Sequence, residues 1–305
     1  MNCINSILTI CLTAVSAPLL LGIINRVKAT FAGRKGQPVL QTYYDIFKLL
    51  KKSAVYSLTT SFVFKLGPVL NLAAIFLALT MIPVGPLPPL FSFEGDIFLI
   101  IYLVAIGRFA TILSALDTGS SFEGMGASRE AFFSALAEPA ILISLLAVAK
   151  LTGSYSLISI VEKISAVDWI AHAPALGLIV VSLFIILLAE NARIPVDDPN
   201  THLELTMIHE VMVLDHSGPD FAAITYGAAL KLWLCAAIIC SILLPIHTGN
   251  MFTDLVAWLC GMSIIAVAVG VVESTMGRLR LFVVPQLLVG AVVLAGTGIL
   301  MILIP

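Results

Sequence analysis

The sequence predicts an all-α integral membrane protein, a bundle of about eight transmembrane helices with cytoplasmic amphipathic helices and both termini outside. Three observations carry this. Hydrophobic residues make up 60% of the 305 positions and mean hydropathy is +1.08, values that belong to membrane chains. Apolar stretches of about 20 residues, the length needed to cross the hydrocarbon core, recur roughly at 3–25, 62–82, 96–116, 131–150, 171–189, 228–246, 252–273 and 283–304. Basic residues fall overwhelmingly on one side of that pattern, which sets its orientation.

The chain reads as a single transmembrane domain over 1–305, with cytoplasmic loops at 26–61 and 190–227 forming a docking face. Arg26, Lys28, Arg34, Lys35, Lys48, Lys51 and Lys52 follow the first span, and Arg129, Arg193, Arg278 and Arg280 share that side. The opposite loops contain only Lys163. The first span has no positive start and runs into a basic loop without a clear cleavage site, so it is expected to stay as a helix. A net charge of -2 excludes a strongly basic nucleic-acid binder. The five cysteines lie in hydrophobic spans without a CxxC pair; packing is their expected role, and no metal or cluster is expected on this chain.

After the first span, Gly33, Gly36 and Pro38 favour a turn. Tyr43, Ile46, Phe47 and Leu50 then recur at i, i+3, i+4 and i+7 while Lys48, Lys51 and Lys52 take the other face. That spacing predicts a short interfacial helix. The proline-rich loop around 81–96, the 151–170 stretch and the turn near His247 read as external links without chemistry. No internal repeat is visible, so an inverted-repeat transporter is not supported.

Ionisable groups are scarce, at 11% against about 25% in a soluble domain, and they concentrate in two stretches. From Asp117 to Pro139, Gly119, Gly124 and Gly126 separate the third and fourth spans, and Glu123, Arg129 and Glu130 precede a span that contains Glu138. Glu123, Glu130 and Glu138 share a helical face if the helix starts early enough. Their steps of about 10 and 12 Å exclude direct hydrogen bonds, so a relay among them needs water or other helices.

From Leu187 to Pro219, a hydrophobic helix runs into Glu190, Asn191, Arg193, Asp197 and Asp198, followed by Glu204, His209, Glu210, Asp215 and His216. Pro195 and Pro199 interrupt any continuous helix, and Thr201 with Glu204 forms a capping-box pattern for a helix ending near Asp215. An ionisable residue near the bilayer centre costs about 2.5–3.5 kcal/mol, so its retention marks function by default. Glu138, the most deeply placed acid by sequence, is expected to serve ion transfer or to pair with Arg108 or Lys231. Glu190, Glu210, Glu130, Glu123 and Asp197 are further coupling candidates, with Arg129 and Arg193 as charge partners. Glu204 has a complete structural explanation in its cap as well as a coupling reading. His202, His209 and His216 are seven apart, about 10.5 Å on a helix, too far for one metal ion. The HEVMV segment also lacks the second histidine of a zinc motif.

Three stretches, RKGQPVLQTYYDIFKLLKK, LDTGSSFEGMGASREAFFSALAEP and AENARIPVDDPNTHLELTMIHEVMVLDHSG, resemble the family that includes subunit 1 (H-type) of respiratory complex I and its counterparts in energy-converting membrane-bound nickel-iron hydrogenases. GASRE and HLELTMIHE look like the hydrogenase branch, which includes formate hydrogenlyase. Val196, Asp198, Asn200 and His202 depart from the complex I pattern. The resemblance implies a non-catalytic subunit of a cytoplasmic (inner) membrane complex. It implies as partners nickel-iron hydrogenase large and small subunits, an iron-sulfur protein and antiporter-like membrane subunits, with the nickel-iron centre and iron-sulfur clusters on those partners. Proton or sodium movement would be driven through acids such as Glu138, Glu190, Glu204 and Glu210. A quinone-reducing complex I-like subunit is the alternative, and a stand-alone cation transporter ranks third.

Overall fold

The structure, a computed structural model, describes residues 2–197, 207–245 and 248–304. Among these residues it is helical throughout, apart from one isolated bridge between Val84 and Leu87. Eight helices are long and apolar enough to cross a membrane: α1 (Asn2–Phe31), α3 (Phe62–Leu79), α4 (Asp96–Asp117), α5 (Ser121–Thr152), α7 (Ala166–Glu190), α9 (Gly218–Leu243), α10 (Met251–Thr275) and α11 (Val284–Leu303). Three short helices lie between them: α2 (Gln41–Leu50), α6 (Leu157–Lys163) and α8 (His209–Met212).

The connections sort onto two ends of the bundle. At one end the 191–217 segment meets the 51–61 loop through Val55 and Ser217, and the 276–283 loop through Leu279 N–H and the Pro195 carbonyl. Asp117 ties the start of α3 to the end of α4 by accepting from the Ser61 amide and hydroxyl. At the other end Pro88 and Pro89 accept from Thr9 and Ser6, and Glu94 accepts from Tyr155 N–H. The basic residues read from the sequence as one-sided lie at the first end.

Helix α9 is the axis of the packing. It lies against α1, α2, α3, α7 and α10, and Trp233, fully buried, donates from Nε1 to Ser16 Oγ at 2.9 Å. A buried indole needs such a partner for its N–H. The pairs α3 with α4 and α11 with α5 and α7 close the rest of the bundle.

Several boundaries differ from the sequence reading. Helix α5 begins at Ser121, ten residues before the expected 131, because Gly124 and Gly126 stay helical. Glycine costs about 1 kcal/mol in a helix, but Gly126 is where the 207–212 segment lies down: a Cβ there would sit 2.9 Å from the Ile208 carbonyl and 3.0 Å from Met212. Tertiary contact outweighs propensity here. Residues 218–227, expected in the docking loop, are the first turns of α9, so that loop is 191–217. The 151–170 link contains α6, and α7 starts early behind a capping box of Ser165 and Asp168. Of the helix expected after Thr201, the described residues hold only α8; Asp198, Thr201, His202 and Glu204 lie outside the described residues.

Helix α2 sits where the periodicity places it, but turned. Tyr43 and Ile46 are half-buried, as expected, whereas Tyr44, Phe47 and Leu50 are exposed. The chain returns along α1 to reach it, with the Val39 backbone so close to Gly22 that no side chain fits there, and the Tyr43 hydroxyl donates to the Val15 carbonyl.

Not every buried acid concerns ions. Asp96, fully buried, accepts from Leu157 N–H at 2.7 Å and from Ser156 Oγ at 3.0 Å, stapling α4 to α6. Replacing it by alanine leaves two buried donors unpaired, so Asp96→Ala is expected to cost roughly 2 kcal/mol, read as an earlier midpoint in denaturing-detergent unfolding.

Candidate ion-coupling site

Four spans converge on one group of charges. Arg108 of α4 lies between two acids, with Nη2 3.3 Å from Glu190 Oε1 on α7 and Nη1 3.5 Å from Glu138 Oε1 on α5. Lys231 of α9 approaches Glu190 Oε2 at 3.8 Å. Glu130, two turns before Glu138, lines the same chamber of ≈ 40 Å³ together with Arg108, Glu190, Lys231, Asn191 and His209. Sequence separation kept Glu130 and Glu138 apart; Arg108 and Lys231 fill the gap between them.

The separations in this chamber are long for charged pairs. A charge-assisted hydrogen bond is about 2.7–2.9 Å, and this chain makes two that are tight: Lys28 to Glu273 and Arg278 to Asp197, both 2.7 Å. Arg193 also reaches Glu273, at 3.2 Å. In the chamber, Arg108 Nε and Nη1 and Glu190 Oε2 have no hydrogen-bond partner among the described residues. Unpaired buried charge is expensive, and a polar cavity above about 15 Å³ has room for water. The chamber is therefore a hydrated pocket of loosely held charges, with the tight pairs at its rim.

Those rim pairs hold the segment above. Asp197 accepts from Ile208 N–H at 3.0 Å and His209 N–H at 3.2 Å, which serves the free amides at the start of α8. Arg129 donates to the Met207 carbonyl at 3.0 Å, and Glu123, fully buried, accepts from Asp215 N–H at 3.2 Å. His216 stacks on Phe64 with ring centroids 4.0 Å apart and shares a hydrogen bond of 3.1 Å with Ser114. A second, larger cavity of ≈ 290 Å³ opens beside this segment, between α1, α2 and α9; Asp45, Arg193, Glu210 and His209 line it.

The sequence candidates thus divide. Glu130, Glu138, Glu190, Arg108 and Lys231 meet in the chamber. Glu123, Asp197 and Arg129 clamp the 207–215 segment, Glu210 faces the outer cavity, and Arg193 pairs with Glu273 rather than with Glu190. Glu138, the deepest acid by sequence, is not the most enclosed: its side chain is 40% exposed against 3% for Glu190. Sequence reasoning missed Glu273, Lys28 and Arg278. An acid closing a span beside a basic turn, as Glu273 does before Arg278, was the available signal.

Residues 4–304, nearly the whole chain, match the family model described as NADH dehydrogenase. This chain belongs to the NADH dehydrogenase family, the complex I subunit 1-like membrane proteins. Within that family it is similar to formate hydrogenlyase subunit 4 of Escherichia coli (strain K12), at 31% identity over 282 residues and 89% of each chain. Hydrogenase-4 component C of the same organism is 30% identical over 273 residues, 88% of this chain and 85% of the relative. An NADH-quinone oxidoreductase membrane protein of Phocaeicola vulgatus is 26% identical over 255 residues, 78% and 69% of the two chains. The order of these identities agrees with the hydrogenase-branch resemblance carried by GASRE and HLELTMIHE. The NADH dehydrogenase family fold is also that of a chain in the archaeal membrane-bound sulfane sulfur reductase, a respiratory membrane complex, with TM-score 0.85, 22% identity and 98% of both chains covered.

Burial lowers the pKa of His216 to about 4, as it does for His209, because desolvation disfavours the charged ring. Both are neutral when folded. The unfolded chain takes up these protons near the ordinary histidine value, so folding stability is complete above pH 6.5 and falls as pH drops from 6.5 through 4. Unfolding midpoints measured between pH 7.5 and 5 are expected to decline, with a shallower slope in His216→Phe.

Proposed function

We propose that this chain is the membrane anchor and ion-translocation coupling subunit of a membrane-bound nickel-iron hydrogenase complex in the cytoplasmic membrane. It links electron transfer in a soluble arm to proton or sodium movement. The observation that carries the proposal is the hydrated, loosely paired chamber directly beneath a segment clamped by charges on the basic face. The similarity to formate hydrogenlyase subunit 4 and hydrogenase-4 component C supports the hydrogenase assignment. Large and small nickel-iron subunits and an iron-sulfur protein would dock on the 32–61 and 191–217 loops, and those partners would carry the nickel-iron centre and the clusters.

The physics of coupling is modest in size and sufficient. One added electron about 15 Å away at an effective dielectric near 20 changes a charge's energy by roughly 1 kcal/mol. That is close to one pKa unit. Groups held loosely between opposite charges respond to such a field, whereas a 2.7 Å pair such as Arg278 with Asp197 resists it. The residues here do three things: Asp197, Arg129 and Glu123 transmit displacement of the segment, Glu190 and Glu130 take up or release positive charge, and Arg108 shifts its balance between Glu190 and Glu138.

Beyond Arg108 and Glu190 the bundle is apolar. A cavity of ≈ 50 Å³ there is lined by aliphatic side chains such as Val104, Leu145, Leu187 and Leu234, which an ion does not enter without a large desolvation cost. The half-exposed Glu138 offers the other way out, sideways into a neighbouring antiporter-like membrane subunit.

A second reading, the corresponding subunit of a quinone-reducing complex, is supported by the ≈ 290 Å³ outer cavity and the NADH-quinone oxidoreductase relative. Purification of the complex from native membranes separates the two: co-purifying nickel-iron subunits support the first, and a bound quinone with a dehydrogenase arm the second. In assembled complex, Glu190→Gln and Glu138→Gln are each expected to drive the number of ions moved per electron pair toward zero, measured in sealed vesicles. Normal assembly with undiminished pumping in both would overturn the coupling role.

A further inference from the structure

The outer cavity and the inner chamber share a wall. Of the described residues that line them, Asn191, His209, Ile224 and Ala228 border both spaces. Ile224 and Ala228 are apolar, and the Asn191 amide does not titrate. Among the described residues, His209 is therefore the one member of this wall that can accept a proton on one side and give one up on the other.

Resting on the coupling function above, we propose that His209 is the proton relay between the outer cavity and the Glu190–Glu130 chamber, and that the ion passing this point is a proton rather than sodium. A neutral imidazole carries one N–H donor and one bare nitrogen acceptor. A proton delivered by water in the outer cavity adds to the bare nitrogen, forming a transient imidazolium. The opposite N–H then releases its proton to chamber water, on which a Glu190 or Glu130 carboxylate draws. The ring flips or exchanges through water to reset, and no other bond is made or broken.

The surroundings suit this sequence. The ring is held at the partition by its backbone, since the His209 amide donates to Asp197 and the 207–212 segment rests on Gly126. The charged groups lining the two cavities beside His209 are Lys231 from α9, Glu130 from α5, Glu190 from α7, Arg108 from α4, Arg193 from the 191–197 loop, Asp45 from α2 and Glu210 from its own helix. Burial and Lys231 keep the resting ring neutral, which leaves the acceptor nitrogen free at working pH. A sodium ion finds no equivalent station in this wall, because hard cations need several oxygen ligands and, among the described residues, only Asn191 offers a side-chain oxygen. The same Asp197 contacts that clamp the segment also set where the ring stands, so displacement by a docked arm opens or closes the relay.

The test uses the whole complex in sealed membrane vesicles, with ion uptake measured per electron pair in sodium-free and sodium-containing buffer. Wild type is expected to pump in sodium-free buffer, and His209→Gln to pump at least roughly tenfold less, the low end of what a positioned proton-transfer group contributes. His209→Ala opens a gap toward the outer cavity; added imidazole is expected to restore pumping there, while pyrrole, similar in shape but without a basic nitrogen, is not. Counts are normalised to assembled complex by immunoblot, so partial loss of assembly does not mimic loss of relay. Undiminished pumping in His209→Gln, equal rescue by pyrrole, or an absolute sodium requirement overturns the relay. Glu190→Gln run alongside separates the two levels: loss there with full activity in His209→Gln sinks the relay alone, and full activity in both sinks the coupling function as well.

Discussion

Everything in this molecule bears on one guanidinium placed between two carboxylates inside a greasy bundle. Arg108 stays charged at any working pH, so it must be neutralised, and the bundle supplies Glu190 on one side and Glu138 on the other at 3.3 and 3.5 Å. With Lys231 also leaning on Glu190, no single arrangement satisfies all the charges. That frustration is what a fixed ion pair lacks. It leaves several distributions of positive charge close in energy, so a field from outside can select among them.

Two kinds of electrostatics therefore coexist at one end of the chain. Lys28, Glu273, Arg278 and Asp197 form short, well-aligned pairs that fix the loops to the helices. The interior charges are looser, wetter and able to redistribute. The rigid set gives an attached arm something to push against, and the soft set gives the push a consequence. The apolar aliphatic lining beyond Arg108 prevents the charge from leaking straight through the chain.

Much of the fold was legible because bilayer thickness and the one-sided basic residues leave few alternatives; the eight spans and the two classes of loop are where hydropathy places them. The misplaced boundaries have a common cause. Gly124 and Gly126 look like helix breakers, yet Gly126 is the floor on which Ile208 and Met212 rest, a contact between residues about eighty positions apart. The turned face of α2 has a similar origin, since its packing is set by α1 and α9 rather than by its own periodicity. At the site, the sequence identified the expensive residues, including Arg108, Glu138, Glu190 and Lys231, from their cost in a membrane. It could not pair them. Arg193 went to Glu273, and Glu123 and Asp197 proved to hold backbone amides, because pairing depends on which helix ends face each other.

The central claim is that carboxylates of this chamber change protonation when the redox state of the attached arm changes. Infrared difference spectroscopy on the purified complex, poised oxidised and then reduced, reads this in the carboxylic C=O stretching region. The account requires a redox-linked carboxyl band that shifts in deuterated water and disappears when Glu190 is replaced by glutamine. A reduced-minus-oxidised spectrum without such a band, or with one indifferent to that replacement, contradicts it.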